Sequence, residues 1–303
     1  MEQEVEIVSG DLTLSGSLTL PDSPKAIVVF AHGSGPLDRD ENSPGGRLNV
    51  FNALAADLAA AGIASLRFDK RGIGASGGEY ALAGQSDFVD DLRAVAQFAA
   101  RKCDAPLFLC GHSEGTYIAP HVIDASGAAG MILVCAYAQT GQEVLISQAA
   151  RADLIFREMS GVKGWLSRRI LDVTGWPSKK QGALIQKVLG TDTPTIRHAR
   201  QNVPVTWLRD FIKSDPAQVH QSYSIPTLIL TAEHDAQCEP GDGAVIAALG
   251  PNRTNVILTS LSHILRQTDR RDVMDYPRQI GSPIDPVVGR SIIAWINEQL
   301  VPM

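Results

Sequence analysis

The chain is short of cysteine, aromatic residues, basic charge and long apolar runs, and most of these shortages exclude a class of protein. Cysteine occurs four times in 303 residues, at Cys103, Cys110, Cys135 and Cys238, with no C-x-x-C pair, so neither a disulfide framework nor a cysteine zinc cluster is indicated. Cys110 and Cys135 close the apolar runs PLFLC and GMILVC, where a free thiol acts as a small buried hydrophobe. Lys and Arg number 27 against 33 Asp and Glu, a net charge of -6. Such a surface is poorly suited to phosphates, and no nucleic-acid partner is expected. No apolar run approaches the roughly 20 residues that cross a bilayer. The opening MEQEVEIVSG is acidic where a secretory signal would be basic and then apolar, so a cytoplasmic protein without a membrane span is expected.

What remains is an ordinary globular composition, with 44% hydrophobic and 20% charged residues, in a chain long enough for one large domain or two of about 150 residues. Residues 4 to 20 alternate apolar and polar positions around Gly10-Asp11, which predicts a hairpin. Thereafter short, nearly continuous apolar runs appear at 25–31, 63–69, 106–110, 130–136, 227–232 and 255–260. Runs of this kind are strands buried on both faces. Helical patterns lie between and after them, at 48–61, 87–101, 114–123, 243–249 and 287–300. The alternation predicts an α/β fold, a mostly parallel sheet covered by helices on both sides.

This rhythm stops between 141 and 222, where an amphipathic, helical stretch carries Trp165, Trp176 and Trp207. The stretch holds twelve Lys and Arg against seven Asp and Glu, net +5, which leaves -11 for the rest of the chain. It reads as an insertion into a core made of 1–140 and 223–303.

Chemistry concentrates in Gly111-His112-Ser113-Glu114-Gly115, a G-x-S-x-G placed between an apolar strand and a helical segment. A nucleophile on so tight a turn needs small flanking residues, and both flanks are glycine. Ser113 is therefore the candidate nucleophile. A serine hydroxyl needs a base, and of seven histidines His263 has the best context, in a loop directly after the run NVILTS. His32 and His112 sit in motifs with other jobs, His121 follows in the helix, His198 and His220 fall in the insertion, and His234 adjoins the acid candidates. The carboxylate that orients the base comes from TLILTAEHDAQC: Asp235 is preferred and Glu233 is the runner-up. The glycine-rich His32-Gly33-Ser34-Gly35 supplies amides for a developing oxyanion, giving Ser34 and Glu114 as the pair, with Gly35 the alternative to Ser34.

Two motifs are set aside. Gly72-Ile73-Gly74-Ala75-Ser76-Gly77 matches the dinucleotide fingerprint but neither leaves the first strand nor opens a helix, so it reads as a turn. The charge run Asp38-Arg39-Asp40-Glu41 reads as a solvated loop rather than a metal site. Neither a cofactor nor a metal is expected.

The segments VVFAHGSGPLDRDEN, RFDKRGIGASGG, GHSEG, LILTAEHDAQC and LSHILR, in this order, resemble the α/β-hydrolase superfamily. Within it the chain is similar to bacterial esterases grouped with serine aminopeptidase-like and lysophospholipase-like hydrolases. The resemblance implies an eight-stranded sheet with a helical cap after the sixth strand, and acyl transfer to water through an acyl-enzyme on Ser113. It carries the acid onto Asp235, the base onto His263 and the oxyanion amides onto Ser34 and Glu114. Cys238 and Ala232 depart from the branch, which often has an aliphatic residue and a glycine there. The implied activity is a carboxylesterase on short to medium acyl esters, with the tryptophans and leucines of the cap expected to line the acyl pocket. A thioesterase or small-amide or peptide hydrolase with the same triad, and a non-catalytic binding protein on the same fold, are the alternatives. The expected partner is a small ester, and a homo-oligomer stays open.

Overall fold

The computed structural model describes residues 1–198 and 201–301. The chain opens with β1 (Glu2–Ser9) and β2 (Leu12–Thr19), joined through Gly10 at φ 57°, then β3 (Ile27–Ala31), α1 (Val50–Ala60) and β4 (Ala64–Phe68). Next come α2 (Gln85–Lys102), β5 (Leu107–His112), α3 (Gly115–Ile118), α4 (Ile123–Ser126) and β6 (Gly130–Val134). Between β6 and the next sheet strand lie α5 (Gly141–Glu158), α6 (Gly161–Thr174), α7 (Pro177–Leu189), β7 (Thr195–His198), β8 (Gln201–Pro204), α8 (Thr206–Lys213) and α9 (Pro216–Gln221). The chain returns with β9 (Thr227–Ala232), α10 (Asp242–Ala248), β10 (Arg253–Leu258), α11 (Tyr276–Gln279) and α12 (Pro286–Gln299).

Among the described residues eight strands form one sheet, in the order β1-β2-β4-β3-β5-β6-β9-β10. Only the β1/β2 and β2/β4 pairs are antiparallel; β4 through β10 run parallel. The order reverses beside β3, whose loop therefore leaves the sheet next to that of β5. This switch point is where open α/β sheets place a ligand crevice.

The period-two alternation of the strands sorts the core into two layers. Leu107 and Leu109 of β5 point to the side of α2 and meet Phe88, Leu92 and Val95. Phe108 and Cys110 point to the other side, toward Phe51 and Leu54 of α1 and Ile292 and Trp295 of α12. Phe108 and Trp295 meet edge to face with centroids 5.8 Å apart. A strand apolar at every position is thus explained by having helices on both faces.

Three sequence readings change. β5 runs two residues past its apolar stretch, through Gly111 and His112, and delivers the chain directly to Ser113. The helix expected at 114–123 is α3, a 3-10 turn at Ala119–Val122 and then α4, because Pro120 has no amide to continue an α-helical ladder. The insertion is not wholly helical: β7 and β8 form an antiparallel hairpin, pairing Thr195 with Pro204 and Ile196 with Val203. A four-residue alternation between Pro194 and Pro204 is too brief to stand out from the surrounding helices. The inserted segment has its own small core of Ile185, Val188, Ile196, Val205 and Ile212.

Leu109 is fully buried, whereas Ile257 on the outer strand β10 is 60% exposed. Leu109→Ala should cost about 2–5 kcal/mol and Ile257→Ala no more than about 0.5 kcal/mol. Urea unfolding read by circular dichroism checks both, through a lowered midpoint with an unchanged slope for the first.

Candidate active site

Ser113 occupies the turn between β5 and α3 with φ 52°, a left-handed conformation that a non-glycine residue adopts only where its surroundings hold it. Its amide donates to Val134 O at 2.9 Å, and its carbonyl accepts from the Thr116 amide and from Thr116 Oγ1. Both flanking glycines are sterically required. A Cβ at Gly111 would lie 2.3 Å from Gly115 O, and one at Gly115 would lie 2.1 Å from Ala31 O. The second contact shows how closely the β3 end approaches the turn.

Asp235 follows β9 and His263 follows β10, on loops from adjacent parallel strands. His263 Nδ1 donates to Asp235 Oδ2 at 2.8 Å, with both residues buried. Asp235 Oδ1 accepts the amides of Gln237 at 2.7 Å and Cys238 at 2.8 Å. Burial pushes the Asp235 carboxyl up, but His263 and the two amides outweigh it and hold the group below the usual carboxylate range. The carboxylate thus keeps its charge and orients the imidazole through Nδ1. No hydrogen bond joins Ser113 Oγ to His263 in this structure; such contacts are often slack before substrate binds. Glu233 turns away to accept the Ser260 amide at 2.7 Å, so of the two acid candidates only Asp235 meets the imidazole.

The amides of Ser34 and Glu114 donate to no protein acceptor among the described residues, whereas the Gly33 amide is occupied by Glu41 Oε1 at 2.8 Å. Ser34, Ser113 and His263 border one cavity of about 80 Å³, whose apolar side is Leu37, Leu48 and Ile264. No described residue of 141–222 lines this cavity, and Trp165 is 55% exposed. Trp207 instead donates through Nε1 to Glu114 Oε1.

Charged groups beneath the site were not anticipated. The run 38–41 is not a solvated loop: Glu41 is 1% exposed, with φ 64°, and it bridges the Gly33 amide and His112 Nδ1, the latter at 2.7 Å. Arg39 grips both oxygens of Asp69 through Nε and Nη2, and Arg67 pairs with Asp40. Asp69 in turn accepts the Ala75 amide, so the glycines at 72–77 form a turn around it. His112 Nε2 faces His263 O at 3.0 Å. Both ring nitrogens therefore face acceptors, the arrangement of an imidazolium. Burial pushes His112 down, yet Glu41 and the His263 carbonyl raise it above its usual range. The side chain of Glu114, 1% exposed, accepts from Gln85 Nε2 at 2.9 Å and lies 3.7 Å from buried Lys70 Nζ. Reading the sequence locally missed these partners because Glu41, Lys70 and Glu114 belong to three separate loops.

The other histidines have structural contacts. His32 stacks edge to face on Phe68, and burial with nearby Lys70 lowers it to about 4. His220 Nδ1 meets Tyr223 Oη at 2.8 Å, and the side chain of His198 lies outside the described residues. Cys135 and Cys238 approach His263, and burial, with the charge of Asp235 beside them, pushes both thiols well above their usual range.

The Glu41–His112 pair has a defined pH signature. His112 is raised above its ordinary 6.5, so its contribution is complete below that value and is lost as pH climbs through the folded value. Burial pushes Glu41 up, but His112 and the Gly33 amide hold it below its ordinary 4.5, so its contribution is lost as pH falls through the folded value. The difference in Tm between wild type and Glu41→Gln should peak between pH about 4.5 and 6.5 and shrink on both sides. Differential scanning fluorimetry across pH 3–9 checks this, and a flat difference would remove the ion pair.

A family model described as serine aminopeptidase, S33, matches residues 22–265. Esterase EstD of Thermotoga maritima is 26% identical over 258 residues, covering 83% of this chain. The chain spans 58% of that relative's length. Among solved structures, Est1E of Butyrivibrio proteoclasticus, with ferulic acid bound, superposes with a TM-score of 0.63 at 16% identity, covering 98% of this chain and 99% of that one. The proline iminopeptidase of Mycobacterium smegmatis gives a TM-score of 0.64 at 14% identity, covering 98% and 99%. These likenesses carry the fold, and the family model spans most of the residues from which the site is built. The chain belongs to the serine aminopeptidase S33 family of α/β-hydrolases.

Proposed function

We propose that the chain is a serine carboxylesterase for short acyl groups, working through an acyl-enzyme on Ser113. One observation carries the reading: Ser113, in left-handed backbone, shares an 80 Å³ cavity with Ser34, whose amide has no acceptor among the described residues, and with His263, whose Nδ1 donates to buried Asp235 at 2.8 Å. In the first step Ser113 Oγ attacks the ester carbonyl while His263 Nε2 takes the hydroxyl proton. The carbonyl oxygen becomes an oxyanion and accepts from the Ser34 and Glu114 amides. Collapse expels the alcohol, protonated by His263. Water, activated by the same imidazole, then hydrolyses the acyl-Ser113 and frees the acid. Asp235 stays ionised throughout and stabilises the imidazolium. No step calls for a metal or cofactor.

The size of the cavity supports a short acyl group. At roughly 10–15 Å³ of such space per water, the site holds a few small groups, bounded by Leu37, Leu48 and Ile264. The inserted residues 141–222 act as a cap over this end of the sheet, joined to the core through Trp207 and Glu114. The similarity to an esterase points the same way. Amide cleavage is the competing reading, since the family model is described as an aminopeptidase. An aminopeptidase must hold a substrate ammonium near the serine. The one carboxylate on the cavity wall, Glu41, is engaged at both oxygens, by the Gly33 amide and by His112.

Wild-type enzyme should hydrolyse p-nitrophenyl acetate and butyrate, with octanoate and palmitate much slower. Ser113→Ala and His263→Ala should each lower kcat by about 10⁴-fold or more, and Asp235→Asn by about 10⁴-fold. Initial rates on the ester series and on leucine p-nitroanilide check the reading. Activity that survives in Ser113→Ala would sink it, and faster cleavage of the anilide would replace it with the peptidase.

A further inference from the structure

Lys70 is an unusual residue to bury. It is 4% exposed, and burial pulls its ammonium below the ordinary lysine range against the opposing pull of Glu114 and Glu41. Its Nζ donates to Gly33 O at 2.6 Å, sits 3.7 Å from Glu114 Oε2 and lies 4.6 Å from the centroid of Phe88. Gly33 O belongs to the peptide whose other end is the Ser34 amide. Among the described residues no peptide bond is cis, and in a planar trans peptide the N–H points opposite to the C=O. A carbonyl drawn back onto Lys70 therefore turns the Ser34 N–H the other way, toward the cavity beside Ser113. The ammonium also polarises that peptide and strengthens its donor. On the amino side of the same residue, the Gly33 amide is pinned by Glu41 Oε1 at 2.8 Å. Gly33 is thus clamped at both ends by buried ionic groups.

The other donor is tied to the same ammonium. Glu114 supplies the second candidate oxyanion amide through its backbone and faces Lys70 with its side chain. Its Oε1 also accepts from Gln85 at the start of α2 and from Trp207 on α8 of the cap, while Oε2 has no hydrogen-bond partner among the described residues. One buried carboxylate therefore touches the cap, the body and the lysine that aims Ser34.

We propose that Lys70 and Glu114 are positioning residues that set both donors of the oxyanion hole, and that Trp207 couples this setting to the seating of the cap. The inference rests on the esterase reading for its assay but names residues that reading does not use. The lysine stabilises the transition state without touching substrate, so it should govern kcat rather than KM.

Kinetics on p-nitrophenyl acetate, with the rate of phosphonylation of Ser113 by a fluorophosphonate probe followed by intact mass, test the proposal. Lys70→Met should lower kcat about 30-fold with KM within about twofold, short of the 10²–10³ expected for outright loss of a donor. Phosphonylation should slow in the same ratio. Because this variant strands a buried carboxylate, Lys70→Met/Glu114→Gln removes both charges and serves as the folding control. It should recover thermal stability but not kcat. If kcat returned to wild type, Lys70 would merely neutralise Glu114 and the positioning role would be overturned. Trp207→Phe, which keeps the ring and deletes the donor, should lower kcat about threefold. Its effect should be non-additive with Lys70→Met, as expected for groups sharing a partner; additive effects would remove the coupling to the cap. A wild type that labels at Ser113 but leaves esters intact would refute the esterase reading alone, with the labelling rates still deciding on Lys70. A wild type that does neither would overturn both.

Discussion

The structure is organised around the contact between two loops, where the chain leaving β3 presses against the turn that holds Ser113. Gly115 lies so near Ala31 that any side chain there would enter its carbonyl oxygen, and Gly33 would meet Ser113 Cβ at 3.3 Å if it carried a Cβ. Adjacent parallel strands bring the two loops together, and the reversal of strand order at β3 leaves a crevice beside them. The strained backbone of Ser113 and the free amides of Ser34 and Glu114 follow from that approach. A turn so tight is stable only because β5 is buried on both faces and cannot shift to relieve it.

Around this contact the protein buries charge that a core alone would not tolerate. Glu41, His112, Lys70 and Glu114 are all nearly or fully inaccessible, and each faces an opposite charge or a backbone group. Isolated, such ions would cost several kcal/mol apiece; paired and hydrogen-bonded, they hold backbone at defined angles. The use of the pairs is geometric. Glu41 holds the Gly33 amide, His112 holds the His263 carbonyl, and Lys70 holds the Gly33 carbonyl, so three loops keep one register.

The inserted segment relates to this centre through few contacts of high consequence. It has its own apolar cluster and covers the body with α8, where Trp207 stacks on Phe211 at 5.2 Å and reaches Glu114. The small cavity beside Ser113 is nevertheless walled by the body, with Leu37, Leu48 and Ile264 as its apolar side.

Much of the fold was legible in the sequence because its signals are local. Continuous apolar runs mark strands covered on both sides, Gly-x-Ser-x-Gly marks a strand-to-helix turn, and an aspartate and a histidine each lie just past such a run. Ser113, Asp235 and His263 stand out as candidates for that reason, and Asp235 and His263 meet in the structure. What only the tertiary structure decided involves residues whose meaning depends on a partner far along the chain. Asp38 to Glu41 looked solvated because charge predicts exposure until opposite charges arrive from Asp69's loop, β4 and the turn at His112. The side chain of Glu114 had no local partner to suggest its role, since Gln85 and Trp207 are 29 and 93 residues away. Periodicity and motif spacing report how a segment meets water and its own neighbours, whereas the pairing of buried charges is settled only when the sheet brings their loops together.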